Sequence, residues 1–252
     1  MENLERITLK AFRAPDEPEL CNEFLKEHRR VLEDFGIANV TTNNERWTHD
    51  EHCFVIVALH ERLGMVGGIR LEIAKEDVPL PMELALMKLD PRVHDALESL
   101  RPYGNGEVCG LWNANRYANK GVPLLLSHAV TALSVPAGAR RLVCLVAHYT
   151  KKHPSRNGFL VMEELGKEGT FSYPIPSITA IAMVNPDTMI LEHALESQRQ
   201  LIYSLRLRPR QVRLEQPGNT LLEVHYDMML KGNLIDIHAY QQIQDELLRN
   251  TA

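Results

Sequence analysis

Hydrophobic positions along this chain switch between two periods, and the switching lays out the elements. Ile7 to Phe12 alternates apolar and polar residues with the period of two that marks a short strand. The segment APDEPEL then has the prolines and acids of a helix start, and Leu20, Phe24, Leu25, Val31, Leu32 and Phe35 follow at helical spacing until Gly36. Cys53–His60 and Met65–Ala74 are β-rich runs joined by ERLG, which predicts an antiparallel hairpin. Four prolines interrupt the periodicity over 76–106, leaving room for one or two short helices.

Glu107 to Trp112 reads as another strand, followed by the polar NANRYANKG. An apolar helix is expected over 122–138, with Pro123 tolerated in its first turn. Arg140–Ala147 is a nearly continuous apolar run, the pattern of a strand buried on both faces. HYTKKHPSRNGF is expected to be a helix broken at Pro154, and Ser177–Val184 one more strand. A helix over Asp187–Leu205, a strand within TLLEVHYDMML and a terminal helix over Ala239–Asn250 complete the order. Runs of antiparallel strands with one crossover helix predict an α/β (α+β) chain, a mixed and largely antiparallel twisted sheet flanked by helices. The division expected is a core over 1–184 and an extension over 185–252, of strand and helices packed on the same domain.

Composition narrows the function classes. At 252 residues the chain can bury a full core without a disulfide or metal staple. The 28 basic and 33 acidic residues leave a net charge of −5, which argues against nucleic acid as the partner. The four cysteines form no C-x-x-C pair, and His128, His148, His153 and His225 lack metal-ligand spacing, so no metal site is expected. Charges in MENLERITLK stand where a signal peptide needs an apolar stretch, and no run approaches the roughly 20 apolar residues of a membrane span. A cytoplasmic location is expected.

The stretch GEVCGLWNANRYANKGVPLLLSHAVTAL takes a strand through a polar turn directly into a helix. Such a turn aims backbone amides at an anion, although most strand–turn–helix units bind nothing. The order of elements resembles the GNAT acyltransferase superfamily. Its fourth strand has a pattern like E-x-x-x-L-x-V, followed by a glycine-rich loop that cradles coenzyme A. Glu107, Leu111, Asn113 and ANKGVP stand in that register, and RNGF (156–159) falls where the family's next helix closes. Within the superfamily the resemblance runs to acyl-homoserine-lactone synthases and N-acyl amino acid synthases. EHRRVLEDFG, RWTHDEH and Gly67-Gly68-Ile69-Arg70-Leu71 match their motifs in order.

The resemblance implies a GNAT-like acyltransferase over 1–184. A fatty acyl group would pass from a thioester to the amino group of a small molecule such as an amino acid, giving an N-acyl amino acid or autoinducer-like signal. It implies no tightly bound cofactor; acyl-ACP or acyl-CoA would be the co-substrate. Ala118 and Pro123 stand where the superfamily has an arginine and its last glycine, which turns the expectation toward acyl carrier protein. An acetyl-CoA-dependent N-acetyltransferase and a non-catalytic module that binds an acyl carrier or partner are the alternatives.

The implied roles fall on particular residues. Glu107 is the expected base for the acceptor's proton, against a solvated strand-end acid. Backbone amides over Leu111, Trp112 and Asn113 are the expected oxyanion donors, against plain core packing. Asn115, Arg116, Asn119, Lys120 and Gly121 are the donor-binding candidates, and Arg29, Arg30, Trp47, Asp50 and Arg70 the acceptor-side ones. Arg70 ends an apolar strand and needs a carboxylate, with Asp50 and Glu51 in view. Leu124, Leu125, Val143, Leu145 and the 78–100 segment are candidates to line an acyl tunnel. Outside the resemblance, Arg206, Arg208, Arg210 and Arg213 form a basic stretch. It reads either as a docking patch for an acidic acyl carrier protein or as a solvated linker.

Overall fold

The computed structural model describes residues 4–37 and 44–230. Ten strands run as β1 (Glu5–Arg13), β2 (Cys53–His60), β3 (Gly64–Ile73), β4 (Asn105–Asn113), β5 (Arg141–Ala147), β6 (Leu160–Val161), β7 (Thr170–Ser172), β8 (Thr179–Asn185), β9 (Arg210–Glu215) and β10 (Leu222–Asp227). Six helices accompany them: α1 (Pro18–Asp34), α2 (Pro81–Leu86), α3 (Arg92–Glu98), α4 (Val122–Leu133), α5 (Lys152–Arg156) and α6 (Glu196–Leu207). The terminal helix expected over 239–250 lies outside the described residues.

All the strands join one sheet, in the order β6-β8-β5-β4-β3-β2-β1-β10-β9, with β7 also paired to β8. Neighbours are antiparallel except for β4 with β5 and β1 with β10. The helix α4 makes the crossover that a parallel β4–β5 pair requires. The β9–β10 hairpin adds to the free side of β1, so residues 210–227 extend the same sheet.

The continuous apolar run of β2 has a physical cause in the two layers that cover it. Val55 and Val57 face α1, packing with Phe24, Trp47, Met65 and Trp112. Phe54, Ile56 and Ala58 face the opposite layer, where α4 and α6 bring Leu125, Leu126, Ile202 and Leu205. A third cluster joins α2 and α3 to Val143, Met162 and Phe171. No helix among the described residues is long and apolar enough to cross a membrane.

Both layers approach β3 at a pair of glycines. A Cβ on Gly68 would lie 2.4 Å from Phe24 Cε2 and 2.8 Å from Trp112 Nε1; one on Gly67 would lie 2.8 Å from Val122 Cγ1. Gly68→Ala therefore has to displace an aromatic ring from a packed core. The expected loss is about 1–3 kcal/mol, read from the urea midpoint; an unmoved midpoint would show that the α1 layer is loose.

Several expectations are corrected by the fold. The helix predicted from Asp187 begins only at Glu196, because Asp187 Oδ1 accepts the amides of Met189 (2.9 Å) and Ile190 (3.3 Å) in a local turn. α4 ends at Leu133 rather than running to Gly138. Only the first half of Arg140–Ala147 is buried on both faces: Leu142, Val143 and Cys144 are buried, whereas Leu145 to Ala147 are half-buried. The basic stretch runs from the end of α6 into β9 rather than along a linker, and it divides: Arg208 and Arg210 are exposed, whereas Arg206 is not. Arg206 is buried and donates to Thr131 O (2.9 Å), Ala132 O (3.1 Å) and Thr188 O (2.7 Å). Arg210 and Arg213 lie on β9 and pair with Asp227 and Glu215, and exposed Arg208 donates to Ser204 Oγ.

Candidate active site

The half-buried end of β5 marks where the sheet opens. β4 and β5 pair only from Asn105 with Arg141 to Val108 with Cys144, although both strands continue. On its other side β4 stays paired to β3, but the register slips: Arg70 faces Cys109 while Gly68 faces Trp112. Gly110, at φ 59°, takes up the extra residue as a bulge that a side chain would strain. Bulge and parting together turn the edge of Cys109–Asn113 toward open space. Backbone groups on that edge have no strand neighbour there, so they face a cavity of about 610 Å³.

Glu107 stands where the strands part; it is among the residues lining this cavity and is only 2% exposed. Its Oε2 accepts the backbone N–H of Met82 at 2.6 Å. Burial pushes the carboxyl well above the usual carboxylate range; Glu72 and Glu83 add to this, while the Met82 amide and Arg70 oppose it. Leu111, Trp112 and Asn113 also line the cavity, so the four residues proposed for chemistry are brought together. Trp112 is at the same time core, edge-on to Phe24 at 5.7 Å, and any oxyanion contact there would belong to the backbone.

The acceptor-side candidates are not brought to the wall. Arg70 is fully buried behind Cys109 and Gly110, with Nη2 2.7 Å from Glu72 Oε1 and its guanidinium 4.3 Å over the Trp47 ring. Its carboxylate is thus Glu72, not Asp50 or Glu51, because residues two apart on a strand share a face. Asp50 is taken by Lys75 and the amide of His52. Arg30 pairs with Glu27 at 2.8 Å, and Arg29 lines a separate pocket of about 340 Å³ with Lys26 and Glu33. One residue is about 100° of helix. The cavity side of α1 is therefore His28, Val31 and Leu32 rather than the two arginines. Burial, with Arg70 adding, pulls the His28 imidazole down to about 3, so it is neutral.

The donor-side candidates divide. Asn115 and Asn119 line the cavity, but Arg116 turns away to Glu27 (2.7 Å) and the carbonyl of Met65. Lys120 bonds Glu5 (3.0 Å) and Thr220 (3.3 Å). Gly121, at φ 80°, packs so closely on Pro217 that a Cβ would lie 2.6 Å away. This loop is a strut from α4 to β1 and the β9–β10 turn, and its cations are matched by nearby carboxylates. Of the expected tunnel lining, Leu145 and, from the 78–100 segment, Pro81 and Met82 are on the wall; Leu124, Leu125 and Val143 are buried in the cores.

Sequence reasoning missed Ser127, Thr131 and His153, which also line the cavity. Asn157 Nδ2 donates to Ser127 Oγ at 2.9 Å, and the half-buried His153 imidazole is pulled down to about 4 by desolvation, with Lys152 and Arg156 adding. Their only sequence signal was polarity inside an apolar helix and beside Pro154. Among the described residues no cluster of His, Cys, Asp or Glu is arranged to hold a metal ion.

A scan against protein-family models and a search of curated proteins find no match. Among solved structures the chain is similar to FeeM, an N-acyl amino acid synthase from uncultured soil microbes. They share 15% identity over 77% of this chain and 97% of that one, with a TM-score of 0.57. It is also similar to BjaI, a CoA-dependent acyl-homoserine lactone synthase solved with SAM and isopentyl-CoA. That match has 15% identity, 95% and 99% coverage and a TM-score of 0.50. The fold is the one implied by the resemblance to the GNAT superfamily, and the parted β4–β5 pair lies within it.

Proposed function

We propose that this chain is an N-acyltransferase that moves a fatty acyl group from a thioester carrier to the amino group of a small molecule. The observation that carries the reading is a buried carboxylate, Glu107, at the point where two parallel strands part over a largely apolar cavity. An amine arrives protonated and must lose a proton before it attacks. Glu107 takes that proton, the amine nitrogen adds to the thioester carbonyl, and backbone amides of Leu111 to Asn113 hold the resulting oxyanion. The C–S bond then breaks, and the second proton of the nitrogen leaves with the sulfur, giving a neutral amide and a thiol. Likeness to FeeM and BjaI supports acyl transfer by analogy of fold. Acyl-CoA and acyl carrier protein thioesters both supply the required bond, and we assign Asn115 and Asn119, which line the cavity, to the donor.

The test is thiol release by the purified protein, given thioesters from acetyl to palmitoyl on either carrier with a mixed amine pool. Mass spectrometry then identifies the product. A long-chain N-acyl product supports the reading. Turnover of acetyl-CoA alone would make the chain a short-chain acetyltransferase, and bound thioester without thiol release would make it a binding module.

A further inference from the structure

Among the described residues the cavity wall holds one acidic side chain, Glu107, and no lysine or arginine. Of the cations behind the wall, Arg70 pairs with Glu72 at 2.7 Å and Arg116 with Glu27 at 2.7 Å, while Lys152 and Arg156 act on the His153 imidazole without lining the cavity themselves. The two imidazoles on the wall, His28 and His153, are held neutral by burial, at about 3 and about 4. What remains on the α1 side is apolar: Val31, Leu32, Phe35 and Ile37.

An amino acid acceptor would bring its own carboxylate into this space. That carboxylate would lose its water, meet no counter-ion on the described wall and lie near the carboxylate of Glu107. A simple amine meets none of these costs, since its ammonium is the counter-ion of Glu107 until the proton is transferred. We infer that the acceptor is an amine without a carboxylate, an alkyl or arylalkyl amine of the kind left when an amino acid is decarboxylated. The inference rests on the acyltransferase reading and names the acceptor class for that same site. Nitrogen gives one proton to Glu107 and forms the amide bond, the C–S bond breaks, and the second proton leaves with the sulfur as a thiol, so the product is a neutral N-acyl amide.

Matched pairs test this on the full-length protein with long-chain acyl-CoA and acyl carrier protein thioesters: leucine with isopentylamine, tyrosine with tyramine, tryptophan with tryptamine. For each pair, kcat/KM is expected to favour the amine by about tenfold or more. Equal or better turnover of the amino acids would overturn the inference while leaving acyl transfer standing. No thiol release with any member would instead overturn the acyltransferase reading, and the acceptor class with it. Leu32→Arg, on the half-buried last turn of α1, supplies the missing cation and should narrow the ratio. A ratio that this variant leaves unmoved would show that wall charge does not select the acceptor.

Discussion

Glu107→Gln is expected to lower kcat by about 10²–10⁴-fold with little change in KM for the thioester. Glutamine keeps the shape and can still accept the Met82 amide, so the loss isolates the proton-accepting step from the packing. Steady-state thiol release measures it, and a variant within about threefold of wild type would remove Glu107 from the mechanism. The pH profile adds an independent mark. Burial raises the Glu107 carboxyl, and only its ionised form takes a proton, so wild-type kcat/KM should fall with decreasing pH along a limb above the ordinary carboxylate range. That limb should vanish from the residual activity of the variant.

The same burial makes a statement about stability with a definite sign. A carboxyl raised in the folded state binds protons more tightly folded than unfolded, so its ionisation destabilises the fold at pH above the raised value. As pH falls through that value the cost is relieved. Glu107→Gln should therefore unfold at a higher temperature than wild type in the alkaline range, with the gap closing as pH falls. A group retained at a cost to stability is what a site under functional demand tends to show.

Much of the sheet was legible because each strand had one period and clear punctuation. β2 and β3 came from apolar runs flanking ERLG, and β4 from the run ending at Trp112. Glu107 stood out through the resemblance's strand pattern; as the first residue of an apolar run it could equally have been a solvated strand-end acid. The opening of the sheet was not legible. Arg140–Ala147 has one hydrophobic pattern throughout, yet half of it faces core and half faces cavity, and apolarity serves both. Charges misled for a related reason: Arg116, Lys120 and Arg206 lie close in sequence to candidate sites, but their partners Glu27, Glu5 and the Thr188 carbonyl are remote in sequence. The face of α1 turned on a single residue, His28 against Arg29, which no motif spacing resolves without the packing of Phe24 beside it.

Arg206→Ala is expected to cost roughly 3–5 kcal/mol of folding stability. The guanidinium is 3% exposed and reaches carbonyls of three residues on two segments, so truncation strands buried acceptors rather than merely deleting a surface charge. Thr131 O and Ala132 O belong to the last turn of α4, where carbonyls lack intrahelical partners and the helix dipole favours a cation. Thr188 O ties that turn to the segment before α6. A lysine cannot reproduce the planar fork, so Arg206→Lys should recover only part of the loss. Urea unfolding measures both variants. The wall consequence is specific, because Ser127, Val130 and Thr131 line the cavity from the same helix. Activity per folded molecule with a carrier-protein thioester should survive in Arg206→Lys below its unfolding transition, as expected of a residue that pins α4. Unchanged stability with a selective loss of carrier-protein turnover would instead place Arg206 at a docking surface and displace it from the helix end.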